Sequence, residues 1–274
     1  MKERPKLLCK FRPWKLTVER DHKTGALVER HRTKDLLQKA EFFCQPPRFF
    51  DDPHDGLQGA RATGSVRDLD RFIMHNIGAD VLNVMRKHGL GGITQHGEVK
   101  DPADAQIIKR SERKHSRRQT RVLSLSGDPK NELMWSFYAD SHQGVCLCFD
   151  SAHAFFAKAR SVTYVNSPSE IEEPVNDVPT EDPLLYAKGQ VWSWQKEWRL
   201  VWPGEEPKLV AFPRETLKVV ILGEWFPHAR FNELAETLEL GGYQVELLQM
   251  ERLPDSFDYQ FVPLWIERKP GRHS

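Results

Sequence analysis

Three polar or charged residues recur two positions apart in the segment VWSWQKEWRLVW (191–202): Gln195, Glu197 and Arg199. Side chains alternate across a strand, so this spacing predicts one strand over 191–202 with those three, Ser193 and Val201 on one face. Trp192, Trp194, Trp198, Leu200 and Trp202 fall on the other face with Lys196, as a surface for packing. A carboxylate fixed between an amide and a guanidinium is a candidate reactive group. The same residues also suit a cross-strand salt bridge, and alternation alone does not separate the two readings.

Other residues with chemical potential lie in separate segments. Lys10 and Arg12 sit on an expected first strand, Ser124 and Ser126 on a later one, and Trp135 and Tyr138 three apart in a helical pattern. Asp52 opens an Asp-Pro step that suits a turn, with Asp55 close behind it. Two structural alternatives stand beside any functional role. Arg12 can pair with Glu197 or Asp55, and Trp135 and Tyr138 can simply pack a helix on a sheet. Asp52, Asp55 and Glu197 can otherwise gather around a divalent ion. Cys9, Cys44, Cys146 and Cys148 lack zinc-knuckle spacing, so they are expected as reduced core residues, and no metal is predicted.

The elements needed to position these groups are short. Strands are expected at Leu7–Phe11, Glu41–Gln45, Val122–Ser126, Val145–Phe149, Ser161–Val165, Leu217–Leu222 and Gln244–Met250, besides the Trp-rich segment. Apolar spacings of three and four predict helices over 66–88, 131–142 and 231–240. This mixture predicts an α+β fold, a mixed or split β-sheet core with flanking helices, and not a repeating βαβ unit. One domain is expected over 1–274, with a helical and basic insertion around 56–121 and an acidic, proline-rich exposed loop at 166–183.

Length and composition narrow the class. The 274 residues hold 40 basic and 39 acidic side chains, so net charge predicts neither nucleic-acid nor membrane binding. No apolar run reaches the ~20 residues of a membrane span, and the N-terminal segment lacks a secretory pattern, so a cytoplasmic, non-membrane protein is expected. The run 109–121 carries seven Lys or Arg against one Glu, which suits either a nucleic-acid contact or a solvated face.

The motifs KFRPW (10–14), FFCQPPRFFDDPHD (42–55), VLSLSGDPKNELMWSFYADSHQGVCLCFD (122–150), Lys188 ahead of WSWQKEWRLV, and VVILG (219–223) follow one another in order. The series resembles the bacterial domain-of-unknown-function family 2971. Its shared features are a Lys-aromatic-Arg opening, an aromatic-Asn-Asp-Pro-x-Asp segment, Met-Trp-x-x-Tyr, Gly-Val-Cys and Trp-x-x-Glu-x-Arg. Asp51 departs from the family's usual Asn. The family name implies no activity.

The arrangement also resembles the ADP-ribosyltransferase architecture, in which an early Arg, a Ser-x-Ser strand and a late Gln-x-Glu act on NAD. Arg12, Ser124-x-Ser126 and Gln195-x-Glu197 match in that order. The resemblance implies NAD as substrate, with Glu197 and Gln195 catalytic. Lys10 and Arg12 would bind the pyrophosphate, Ser124 and Ser126 would belong to the cofactor-binding set with Ser126 also holding the neighbouring elements, and Tyr138 would stack on nicotinamide. Such an enzyme would suit a bacterial toxin or defence effector. Two other classes remain open: a non-catalytic partner-binding protein of a defence or toxin–antitoxin system, and a Mg²⁺-dependent nuclease or phosphohydrolase.

Overall fold

The computed structural model describes residues 3–20, 24–50, 52, 55, 61–63, 120–167, 170–174, 183–204 and 208–264. The expected helix over 66–88 and the basic run as far as residue 119 lie outside the described residues.

The chain opens with β1 (Leu7–Arg12), β2 (Thr17–Arg20), β3 (Leu27–Arg30), α1 (Arg32–Lys39), β4 (Glu41–Cys44) and β5 (Arg61–Thr63). Next come β6 (Thr120–Ser126), α2 (Glu132–Tyr138), β7 (Val145–Asp150), β8 (Arg160–Ser161), β9 (Thr163–Val165), β10 (Glu172–Pro174) and β11 (Ala187–Gly189). The last third holds β12 (Glu197–Pro203), β13 (Lys208–Ala211), β14 (Leu217–Leu222), α3 (Phe231–Leu240), β15 (Glu246–Arg252) and β16 (Tyr259–Pro263).

Eight strands form one mixed sheet in the order β16-β15-β14-β7-β1-β6-β12-β8, antiparallel except for the β14–β15 pair. The fold is α+β, as the element mixture predicts. Strand β7 reads VCLCF with every residue buried, the pattern of a strand covered on both faces. One face packs Leu8, Leu147, Phe149 and Leu200 against Leu36 and Leu37 of α1 and Leu234 and Leu238 of α3. The opposite face packs Cys9, Phe11, Cys146, Cys148 and Ile221 against Trp135 and Ala139 at α2. No described helix is long and apolar enough to cross a membrane.

The sheet comes apart between two neighbours. Strands β1 and β6 share a single register pair, Cys9 with Ser126, whereas β1 matches β7 along six positions. Beyond Cys9 the two strands diverge. Gln45, at the end of β4, bridges to Val122 on the edge that β6 thereby exposes.

Several expected elements differ. The Trp-rich segment is not one strand: Gln190–Gln195 curls into a 3-10 turn, Lys196 takes a left-handed φ of 44°, and extended structure begins only at Glu197. The expected strand at 161–165 breaks at Val162, whose amide bonds the Glu197 carbonyl, so β8 pairs with β12 and β9 pairs with β11. The helix expected over 131–142 stops at Tyr138 because Asp140, Ser141 and His142 all have positive φ. Within the loop expected at 166–183, β10 pairs in parallel with β5 of the expected insertion; residues 175–182 lie outside the described residues. Helix α3 spans 231–240 as expected.

Candidate functional site

Where β1 and β6 part, a cavity of about 950 Å³ opens. Lys10 and Arg12 of β1, Ser124 and Ser126 of β6, and Tyr138 of α2 line it. So do Gln195, Glu197, Lys188, Asp52 and Asp55. The segments expected to supply a site thus meet around one hollow of a size that suits a small-molecule ligand. Trp135 does not reach it. That side chain is fully buried in the core on the α2 side, edge-on to Phe11, with its indole N–H donated to the Pro129 carbonyl.

At one end, Glu197 is held in a buried ion network. Residues opposite one another on paired strands project from the same face, so Glu197 stands beside Ser126 and Arg199 beside Ser124. Arg199 Nε and Nη2 donate to the two Glu197 oxygens at 2.7 and 3.0 Å. The same guanidinium donates to both Asp55 oxygens at 2.8 and 2.6 Å and to the Leu185 carbonyl at 2.7 Å. Lys188, on β11, lies 3.1 Å from Asp55 and 3.3 Å from Glu197, and donates to the Gln195 amide oxygen at 2.8 Å. Two cations and two carboxylates therefore balance.

Burial alone would raise the Glu197 pKa, but the charges of Arg199 and Lys188 win and hold it at about 2, from 4.5. For Arg199, burial opposes the charge, yet Glu197 and Asp55 raise it above its ordinary value. Both groups stay ionised at neutral pH. The expected alternative in which Arg12 pairs with Glu197 or Asp55 is not what forms; Arg199 and Lys188 fill that place. A divalent ion shared by Asp55 and Glu197 would have to displace these two cationic side chains.

Gln195 reaches the same place by a different route than strand alternation. The 3-10 turn buries its side chain, and its amide donates 3.0 Å to the Tyr138 hydroxyl. Tyr138 is thus tied to Gln195 while still facing the cavity. Ser126 is a positioning residue: its hydroxyl donates to the Gln195 carbonyl at 2.8 Å and accepts from the Asp128 amide. Asn131 caps α2 through the Met134 amide and also donates to the Trp194 carbonyl, which ties the turn to the helix.

Beyond this network the lining carries Lys10 and Arg12. Lys10 Nζ donates 2.8 Å to the Ser124 carbonyl, spanning the split between the strands. Burial, then the neighbouring Arg12 charge, brings its pKa down to about 8. Arg12 makes no ion pair or side-chain hydrogen bond among the described residues, and its Nε is buried without a partner. Burial and the charge of Arg32 lower its pKa to about 10, with Glu19 opposing. A half-buried guanidinium with a buried, unpartnered Nε–H suits an anion.

Three contributors have roles that the sequence does not reveal, although Lys188 stands in one of its motifs. Lys188 comes from a strand outside the main sheet. Tyr164 accepts the Glu197 backbone N–H at 2.8 Å and fixes the start of β12. Trp192 lines the cavity beneath the Lys188 ammonium, 5.2 Å away, although alternation had assigned it to the packing face. Nothing in their local spacing signals these roles.

No family model, curated protein or solved structure matches the chain.

Proposed function

We propose that the chain is an ADP-ribosyltransferase-like enzyme that takes NAD into the split between β1 and β6. The observation that carries this reading is what one cavity gathers: a half-buried Arg12 guanidinium whose Nε is buried without a partner, and an ionised Glu197 carboxylate. A dinucleotide has matching parts. Its pyrophosphate suits Arg12 in bidentate fashion, with Lys10 as a second cation. Its nicotinamide riboside suits the end formed by Tyr138, Gln195 and Glu197.

Glu197 already accepts from Arg199 at both oxygens and from the Ser124 side chain, so a substrate hydroxyl takes the place of its longest charged contact. That contact is Lys188 at 3.3 Å, and Lys188 keeps closer partners in Gln195 and Asp55 when it yields. The ribose hydroxyl then donates to Glu197. As the bond from ribose to nicotinamide nitrogen breaks, its electron pair leaves with nicotinamide and positive charge grows on the sugar. Fixed negative charge beside that centre stabilises it without reorganisation. An acceptor nucleophile, or water, completes the transfer.

The test is release of nicotinamide from NAD by the purified chain, with and without cell extract, compared with Arg12→Met. Release that falls at least tenfold in the variant is expected. Absence of release under both conditions, with no binding of NAD by calorimetry, overturns the reading. That outcome would favour a partner-binding protein, for which exposed Phe137 and Val191 near the Trp194 turn provide an apolar surface.

A further inference from the structure

Three of the four cysteines converge behind the floor of the cavity. Cys9 of β1 and Cys148 of β7 are direct register partners, and Cys146 lies two residues before Cys148 on the same face. The Cys9 and Cys148 sulfurs are 2.8 Å apart and those of Cys146 and Cys148 are 3.7 Å apart. We propose that Cys9 and Cys148 form a reversible disulfide on exposure to a peroxide.

Geometry carries the proposal. Residues directly opposite on antiparallel strands have Cα atoms roughly 4.5–5.5 Å apart, inside the range a disulfide spans. All three thiols are fully buried, and Cys9 alone among them borders the cavity, so a small neutral oxidant meets the pair when the floor opens locally. A bound metal ion is the poorer use of this trio. It would place three thiolates in an apolar cluster with no fourth ligand in the group, whereas a disulfide is neutral.

The trio also sorts its members. Burial works against a thiolate at Cys148, yet hydrogen bonds from Cys146 and Cys9 lower its pKa below the usual value. Burial pushes Cys9 and Cys146 well up. Cys148 therefore ionises first and is the attacking sulfur. Once local opening of the floor brings peroxide to it, its thiolate attacks one peroxide oxygen; an S–O bond forms, the O–O bond breaks, and the departing hydroxide takes up a proton. The Cys9 sulfur then attacks the Cys148 sulfenic acid. The S–S bond forms, the S–O bond breaks, and hydroxide leaves as water with the Cys9 proton. Two thiols are oxidised and one peroxide is reduced to two waters.

The position gives this bond a consequence. Cys9 is the one β1 residue in register with β6, through Ser126, and the next residue is Lys10. Drawing Cys9 towards β7 loads the pairing that closes the cavity floor.

The test treats the native full-length chain with hydrogen peroxide, blocks remaining thiols, and maps the links by mass spectrometry. Loss of two hydrogen masses, a Cys9–Cys148 link in the fragment spectra, and full reversal by dithiothreitol are expected. Cys146→Ala should retain the link and Cys148→Ala should lose it. Oxidation confined to sulfinic or sulfonic acids, a link involving Cys44, or unreacted Cys9 and Cys148 in the wild-type chain would overturn the proposal. The wild-type map decides even if a variant fails to fold. Its outcome does not depend on whether NAD is the substrate.

Discussion

Replacing Glu197 with glutamine preserves size and most hydrogen bonding, but removes one of the two carboxylates that balance Arg199 and Lys188. The cost can be worked from the carboxylate itself. Its pKa falls from 4.5 to about 2 on folding, which corresponds to about 3 kcal/mol of stability at neutral pH. That agrees with the roughly 3–5 kcal/mol lost when one partner of a buried pair is removed. The sign follows from a depressed carboxylate: the contribution is complete above 4.5, falls to about half near pH 3, and is lost as pH drops through 2. Glu197→Gln should therefore lower stability by about 3 kcal/mol at pH 7, or Tm by roughly 6–12 °C. Urea unfolding of wild type and variant at pH 7 and pH 3 measures both quantities. A variant within 1 kcal/mol of wild type at pH 7, or a gap that does not shrink at pH 3, refutes the reasoning. On spacing alone this substitution is conservative; the ion network makes it costly.

Other consequences follow from the same geometry. Lys10 is protonated below about 8, so calorimetric affinity for ADP-ribose should be about tenfold tighter at pH 7 than at pH 9; a flat profile would remove Lys10 from the anion site. Gly144→Ala would put a Cβ 2.2 Å from the Arg12 carbonyl oxygen and 2.8 Å from that of Ala139. Backbone on both sides cannot yield, so chemical denaturation should show a loss of about 3 kcal/mol or more. The Gln195–Tyr138 hydrogen bond should appear as a coupling of about 1 kcal/mol in a cycle of Gln195→Leu and Tyr138→Phe unfolding energies; additive effects would show that the two side chains act independently.

How far the sequence reveals this molecule depends on whether its signals are local. Strand β7 and helix α3 are legible because an unbroken apolar run and a three-four apolar spacing each have one good solution. The Trp-rich segment misleads because its alternation continues through a turn. Lys196 adopts left-handed φ without glycine to announce it, so residues before it do not obey the strand's parity. Gln195 and Glu197 still share a site, but the turn brings them together. Helix α1 escapes notice because only Thr33, Leu36 and Leu37 are buried on it.

The charge network has the same character. Glu197 and Arg199 are two apart on one strand, whereas the structural reading of the sequence is a cross-strand salt bridge. Asp55 and Lys188 join them from distant segments, and no spacing encodes that. The split between β1 and β6 is likewise a matter of register, visible only once the strands are placed.

A crystal structure of the chain soaked with ADP-ribose tests the central claim most directly. The account predicts the diphosphate within hydrogen-bonding distance of the Arg12 guanidinium, with the terminal ribose towards Glu197. A ligand bound outside the β1–β6 split, or Arg12 engaged by a protein carboxylate with the cavity empty at saturating ligand, would contradict it.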